Sequence, residues 1–170
     1  TANGKVIAFA RPNELKILVY TNINFRYRRT FTADYYVYDI KRKELQPLSE
    51  NGAQEVPLFS PDSRYIAFAR NNNLYMKKLD FNTEIAITKD GETGKIINGT
   101  PDWVYEEEFT TDRSFDFSAD SKMLAWIRYD ESKVKMFSFP LYKGSNPTRE
   151  EYDEYPGTYD YKYPVAGSQN

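Results

Sequence analysis

The sequence predicts an all-β fold, a partial β-propeller of about three four-stranded antiparallel blades with a short helical turn at a run of glutamates. Aromatic residues make up 16% of the 170 residues, with 15 Tyr and 11 Phe, and this bias suits half-buried strands better than helices. One turn motif occurs three times along the chain. Four short strands fit between turn signals in about 40 residues, a length typical of propeller blades rather than of helical repeats.

The turn motif is clearest in residues 59–68 (FSPDSRYIAF) and 117–126 (FSADSKMLAW), which are near-copies of each other. A degenerate third copy begins at Phe9 and leads into the apolar stretch 17–20. In each copy a strand ends at Phe, a cluster of Ser, Pro, Asp or Asn makes a tight turn, and a second apolar strand follows. The repeats therefore predict three similar supersecondary units.

The first two repeats each read as an up-and-down meander. In the first repeat, apolar alternation predicts strands at 6–9, 16–22, 33–40 and 44–48. In the second repeat, it predicts strands at 56–59, 65–70, 73–79 and 84–88, separated by turns at 61–62, 71–72 and 81–82. Such a unit buries one face only by stacking on another unit like it. We therefore expect blades at approximately 1–50 and 51–92.

The third repeat would form a blade over approximately 93–170. Its strands are predicted at 114–117, 123–129, 133–139 and 159–163. The closely spaced tyrosines between 152 and 163 are better explained by a packed strand and loop than by a binding surface.

Three blades do not close a propeller, which typically needs about 4 to 8. The chain is therefore predicted to be a piece of a larger propeller, and the alternatives are a free-standing β-sandwich or a small solenoid. An open piece exposes sheet edges. It should pair with a second copy as a homodimer, aggregate, or stay soluble because its edges are short and charged.

The composition excludes several classes of chemistry. The chain has no Cys and no His, so it offers no thiolate nucleophile, no imidazole base, and no typical zinc or copper site. With 23 Lys and Arg against 25 Asp and Glu, the net charge gives no global attraction to nucleic acid. A mean hydropathy of −0.74 predicts no transmembrane span. We expect a soluble chain that needs no cofactor and no metal and does not bind nucleic acid.

The first charged loop, residues 21–33, interleaves three Arg with aromatic residues. The simplest interpretation is a solvated basic loop whose Arg side chains stack on Tyr and Phe. Aromatic interleaving also resembles a nucleic-acid patch, but three Arg in an otherwise balanced chain make a weak one. We call residues 26–30 within it the Arg loop.

The second charged loop, residues 101–112, contains five acids, no basic residue and three large aromatic residues. Because Trp103, Tyr105 and Phe109 can anchor it, we expect a short helical turn packed on a blade. Consecutive residues on such a turn point about 100° apart, so one or two of the glutamates could point at a common spot. Adjacent carboxylates repel each other, and an ammonium group, which offers three donors, relieves that repulsion.

Other uses of these acids fit less well. A glycosidase places its two carboxylates on either side of the scissile bond, and a calcium loop needs alternating Asp or Asn and a Gly. Strand parity in the meander adds a prediction about position. The loop between strands two and three and the connection between blades lie at the same end of a propeller, so the basic and acidic loops should emerge on one face and line a common pocket.

The run 102–108 (DWVYEEE) is similar to the double-glutamate motif of the dipeptidyl-peptidase IV family of serine exopeptidases. Residues 28–39 (RRTFTADYYVYD) resemble the segment that precedes and forms a strand of that family's N-terminal propeller. Residues 72–76 (NNLYM) and 163–167 (YPVAG) also resemble the family in the same order. Arg29 departs from it, because His often occupies that position. The resemblance covers nearly the whole chain.

The resemblance implies that residues 1–170 are part of an N-terminal propeller whose partner is a C-terminal α/β-hydrolase domain of the same polypeptide. By position, Glu107 and Glu108 would bind the free α-amine of a peptide substrate, and Arg28 would bind a substrate carbonyl. Glu106 would be a supporting residue, and we expect the same of Trp103 and Tyr105. The chain itself would hold no catalytic residue and be inactive alone, and the family suggests an extracytoplasmic location.

Three functions remain as alternatives at this point. The first is the amine-anchoring part of an enzyme that removes N-terminal dipeptides, of the form Xaa-Pro or Xaa-Ala. The second is a propeller module that binds a peptide or protein without a hydrolase partner. The third is a related oligopeptidase with altered specificity. A G-x-S-x-G elbow followed by Asp and then His further along the polypeptide would separate the enzymes from the binding module.

Overall fold

The computed structural model describes residues 7–10, 15–142 and 157–170, in which strands dominate. The predicted first turn at 11–14 and the tyrosines at 152 and 155 lie outside the described residues. The helices are α1 (Trp103–Phe109) and a single 3₁₀ turn at Leu79–Phe81. The strands are β1 (Ile7–Ala10), β2 (Lys16–Phe25), β3 (Phe31–Asp39), β4 (Glu44–Pro47), β5 (Glu55–Phe59), β6 (Tyr65–Arg70), β7 (Asn73–Lys78), β8 (Thr83–Ala86), β9 (Ile96–Asn98), β10 (Phe115–Phe117), β11 (Leu124–Trp126), β12 (Arg128–Asp130), β13 (Met136–Leu141) and β14 (Gly157–Lys162).

The first two repeats form the predicted four-stranded antiparallel meanders, with strand orders β1-β2-β3-β4 and β5-β6-β7-β8. The strand β6 begins and ends where the sequence places it, and the others differ by a few residues at their ends. Alternate residues of β3 are buried, as expected for a sheet with one packed face. The all-β prediction is confirmed.

One hydrophobic core joins the two meanders. Its buried members come from β2, β3 and Leu48, just after β4, on one side and from β5 and β6 on the other; they include Leu18, Tyr35, Phe59, Ile66 and Phe68. The sheets are also linked through the backbone, because Ala33 and Gln54 exchange hydrogen bonds of 2.9 and 2.8 Å. Stacking of neighbouring units therefore buries the face that each unit would otherwise expose.

The third repeat is divided into three two-stranded ladders, β10 with β11, β9 with β12, and β13 with β14. The sequence predicts one strand over 123–129, but the pairing changes at Ile127, whose N–H donates to Ser114 and whose carbonyl accepts from Gly99. After this residue the chain leaves β10 and pairs with β9, a strand that sequence analysis did not identify. The four-stranded sheet predicted for this repeat does not form among the described residues.

The two near-identical turns of the second and third repeats contact each other. The backbone N–H of Asp62 donates to Ser121 Oγ at 3.0 Å, which ties the loop between β5 and β6 to the loop between β10 and β11. Across the described parts of the chain, neither helical segment has the length and apolar character needed to cross a bilayer.

Candidate functional site

The acidic loop folds into the predicted helical turn, α1. Asp102 caps its N-terminus, because the side chain accepts a 2.9 Å hydrogen bond from the backbone N–H of Tyr105, a typical N-cap arrangement. Thr110 ends the helix in a left-handed conformation, and its N–H donates to the carbonyl of Tyr105. A helix of 7 residues is too short to be stable alone in water, so its position depends on the groups that hold it.

Glu106 holds α1 against the Arg loop. Its side chain is fully buried. Oε1 accepts from the backbone N–H of Arg29 at 2.6 Å and of Thr30 at 2.9 Å, and Oε2 accepts from Thr30 Oγ1 at 2.5 Å. Arg29 also donates from Nη1 to the main-chain carbonyl of Glu106 at 2.9 Å. We call these four hydrogen bonds the Glu106 clasp. Charge-assisted bonds to a buried carboxylate are short and strong, so the clasp fixes the helix to the loop.

The Arg loop is closed at its own base. The backbone N–H groups of Arg26 and Tyr27 donate to the carbonyl of Thr30 at 2.9 and 3.4 Å. From the opposite side, Tyr159 Oη on β14 donates to the carbonyl of Arg26 at 2.5 Å. The loop between β2 and β3 is therefore a fixed turn held from two directions.

Arg28 and Glu107 face each other across the junction of the loop and the helix. Arg28 Nε lies 3.2 Å from Glu107 Oε2, and the two side chains are 74% and 14% exposed. The Arg28 side chain is thus largely open to solvent, while the carboxylate it contacts is mostly covered. Glu108 is exposed one position further along α1. The structure therefore brings Arg28 and Glu107 together, with Glu108 at the next, solvent-exposed position of α1.

The prediction that the basic and acidic loops emerge on one face is confirmed, since the contacts above join residues of both. They also share a cavity of about 230 Å³, lined by Arg28, Trp103 and Glu107 together with Phe25, Arg26, Tyr27, Tyr159 and Tyr161. Trp103 and Glu107 lie four residues apart and so occupy the same face of α1. Tyr105 points elsewhere, against the rings of Phe109 and Tyr129, and does not line this cavity.

Sequence analysis missed several residues that shape the site. Thr30 supplies two bonds of the clasp, although nothing in its local sequence distinguishes it. Tyr161 contacts the ring of Tyr27 at 5.5 Å and that of Trp103 at 6.3 Å between centroids. The tyrosines of β14 form a packed strand, as expected, but that strand is also a wall of the site. The closely spaced tyrosines in residues 152–163 were the one feature of the sequence that could have indicated this wall of the site.

A second, larger cavity of about 470 Å³ adjoins the first, and both are lined by Arg26, Tyr27, Tyr159 and Tyr161. Its charged walls include Arg26 and Glu55, whose Nη1 and Oε2 lie 3.9 Å apart, and the buried Glu131. Burial raises the pKa of Glu55 and of Glu131, and Arg26 opposes that shift in both. Burial also raises the pKa of Tyr27 to about 12, so this phenol stays neutral at physiological pH.

These groups offer recognition of charged and polar ligand groups. Among the described residues, no group of three or more His, Cys, Asp or Glu could hold a metal ion. Glu107 and Glu108 supply acceptor-only groups suited to an ammonium, and Arg28 supplies planar donors suited to a carbonyl or carboxylate. The arrangement can therefore hold a group that carries a positive amine next to a carbonyl oxygen.

Comparison with known proteins supports this view of the fold. The protein-family model for the N-terminal region of dipeptidyl peptidase IV matches residues 11–170 of the sequence. A protein of Talaromyces marneffei named probable dipeptidyl-aminopeptidase B is 39% identical over 99% of this chain and 20% of its own length. Its namesake in Emericella nidulans is 37% identical over 94% of this chain. The chain thus spans about a fifth of the length of these curated relatives.

A solved structure agrees in three dimensions. The crystal structure of Porphyromonas gingivalis dipeptidyl peptidase 4 superposes with a TM-score of 0.85 and 41% sequence identity. The match covers 96% of this chain and 22% of that one.

Proposed function

This chain belongs to the dipeptidyl peptidase IV family, as part of its N-terminal region, and we propose that it anchors the free N-terminus of a peptide substrate. The observation that carries the proposal is the ion pair between Arg28 and Glu107, 3.2 Å apart, with Glu108 beside it on α1. Because the Glu107 carboxylate is mostly covered and its Arg28 partner is exposed, a substrate ammonium group could replace the guanidinium as the partner of the carboxylate.

Displacement of the guanidinium explains how one site would hold two substrate groups. An α-amine has a pKa of about 7.7 to 8.0, so most of it is protonated at pH 7, and neighbouring carboxylates favour that form further. The incoming ammonium takes the place of the Arg28 guanidinium at Glu107 and contacts Glu108 as well. Arg28, 74% exposed, then turns outward and donates to the carbonyl of the first or second substrate residue.

Fixing the amine would determine the distance from the substrate N-terminus to the bond that is cleaved. With the first residue held, only the bond after the second residue reaches a nucleophile at a set distance, so a dipeptide is released. The nucleophile belongs, under this proposal, to a C-terminal α/β-hydrolase domain of the same polypeptide. Preference for Pro or Ala at the second position would come from that domain, and the substrates would be of the form Xaa-Pro or Xaa-Ala.

The test is release of an Xaa-Pro dipeptide from a chromogenic substrate by the full-length protein, beside the same substrate with an acetylated N-terminus. We expect cleavage of the free amine alone. In Glu107→Gln, which keeps the shape and removes the charge, kcat/KM should fall about 30-fold, equivalent to about 2 kcal/mol. Glu92→Gln is the matched control, because Glu92 pairs with Lys95 and does not line the cavity that Arg28 and Glu107 share.

Two outcomes would contradict the proposal. Equal cleavage of the free and acetylated substrates would show that no amine is recognised. Unchanged kinetics in Glu107→Gln would remove this residue from the anchor. If neither substrate were cleaved, the alternative of a binding module would be preferred, and binding of a fluorescent free-amine peptide would then be the quantity to measure.

A further inference from the structure

The Glu106 clasp joins two segments, and Thr30 is its central residue. Thr30 donates twice to the Glu106 carboxylate, from its N–H and from its hydroxyl. Its carbonyl accepts from Arg26 and Tyr27 and so closes the Arg loop. Thr30 is 1% exposed. One residue therefore shapes the loop and attaches it to the helix.

The clasp lies immediately beside the two charged residues of the anchor. Arg28 precedes Arg29 and Thr30, and Glu107 follows Glu106, so each member of the ion pair has a clasped neighbour in sequence. The torsional freedom between the clasp and either charged residue is confined to one or two residues. The relative position of the Arg28 and Glu107 backbones is therefore set by the clasp and not by their own contact, which an exposed arginine alone would hold weakly.

We propose that Thr30 is a positioning residue for the amine anchor, acting through Glu106 to set Glu107 opposite Arg28. This inference rests on the proposed function, since it names the residue that holds the proposed site in its binding geometry. Thr30 does not touch the substrate. Its effect on binding passes through the hydroxyl bond to Oε2 of Glu106.

The hydroxyl is the part of Thr30 that matters most. A buried carboxylate oxygen that loses its donor is left without a hydrogen-bond partner in a place that water does not reach, which is unfavourable. After removal of the hydroxyl, Glu106 would retain the two backbone N–H donors at Oε1, while Oε2 would lack its partner. The carboxylate would then turn toward another donor and carry α1 with it, which moves Glu107 away from Arg28.

Arg29 provides a second way to test whether the Glu106 clasp sets the position of Glu107. Its guanidinium donates to the carbonyl of Glu106, in the last turn of α1, where carbonyls lack partners within the helix and a positive charge is favourable. Arg29 is only partly buried, so its replacement should leave the fold intact.

The experiment compares Thr30→Val, which keeps the shape and removes the hydroxyl, with Thr30→Ser, which keeps the hydroxyl. In the full-length protein, Thr30→Val should raise KM for a free-amine dipeptide substrate about tenfold with kcat within about twofold, and Thr30→Ser should stay within about twofold in both. Glu107→Gln should have a smaller effect in the Thr30→Val background than in the wild type, since both changes act on one anchor. A purely structural role would not produce that coupling.

The outcomes separate this inference from the proposed function. A wild-type protein that cleaves free and acetylated substrates equally would overturn the proposed function. A wild type that requires the free amine, with a folded Thr30→Val variant of unchanged KM or full additivity with Glu107→Gln, would overturn the role of Thr30 alone. If Thr30→Val does not fold, the same question is tested by comparing the KM of Arg29→Met, which loses the guanidinium, with that of Arg29→Lys, which keeps a positive charge. A KM raised in Arg29→Met alone supports positioning by the clasp, and an unchanged KM overturns it.

Discussion

The second and third repeats contain the same turn in different surroundings. In both, a serine donates to an aspartate two residues later, Ser60 to Asp62 at 2.6 Å and Ser118 to Asp120 at 2.7 Å. In both, the N–H two residues after the aspartate donates back to it at 3.1 Å. The residue after each aspartate is left-handed, with φ of 60° and 61°. The hydrogen bonds of the two turns are the same within 0.1 Å.

The strands that follow these turns differ in burial. Ile66 and Phe68 on β6 are completely buried, whereas Trp126 on β11 is 42% exposed. The strand β6 lies between β5 and β7 and packs on the first sheet, while β11 forms a two-stranded sheet with β10 among the described residues. A turn is therefore determined by its own few residues, but burial is determined by how many layers surround the strand.

The largest effect should come from truncating the equivalent large side chains of the two repeats. We expect Phe68→Ala to lower the free energy of unfolding by about 3 to 5 kcal/mol, because it opens a cavity in a closed core. Trp126→Ala should lower it by less than about 1 kcal/mol, since nearly half of that ring is already in water. Urea unfolding followed by circular dichroism measures both. Equal losses would show that the third repeat is as well packed as the second.

An intermediate effect is expected for two arginine–carboxylate pairs of equal length. Arg70 lies 2.7 Å from Glu84 with side chains 7% and 14% exposed, and Arg128 lies 2.7 Å from Asp90 with both side chains about half exposed. Arg70→Met should cost about 3 kcal/mol, because it removes the only charged partner that this mostly covered carboxylate has among the described ion pairs and leaves it with the Asn51 amide. Arg128→Met should change stability little, and the change should vanish in 1 M NaCl, on the order of ten times physiological ionic strength. If the loss of stability in Arg70→Met also shrank in 1 M NaCl, this pair would be as open to screening as the exposed one, contrary to its low exposure.

The smallest effect should come from the turns themselves. Ser60→Ala should cost about 1 kcal/mol, since the serine is fully buried and its hydroxyl both donates to Asp62 and accepts from the backbone. Ser118→Ala should cost less, because water can replace its hydroxyl. Paired denaturation curves give the difference. A larger loss in Ser118→Ala would mean that the third turn carries more of its repeat's stability than its exposure indicates.

The same contrast explains what could be predicted from sequence. The strands of the second repeat and the turn at Pro61 follow from local alternation and turn chemistry, so their positions were accessible. The division of the predicted strand at Ile127 was not, because it depends on β9, a short strand from the connection between repeats. In the site, the runs of charge indicated the two loops, and the resemblance to the family singled out Arg28 and Glu107 within them. Thr30 could not be predicted as a site residue, because its partner Glu106 lies 76 residues away in sequence.

The 76- and 77-residue separations across the Glu106 clasp also bear on the order of folding. Contacts between residues so far apart close long loops, which costs chain entropy and slows folding. A chain in which only the first sheet has formed presents Arg28 with no carboxylate opposite it. Under the proposed function, the anchor would form only once α1 and the Arg loop have come together, and a chain that lacks this contact would not capture a peptide N-terminus.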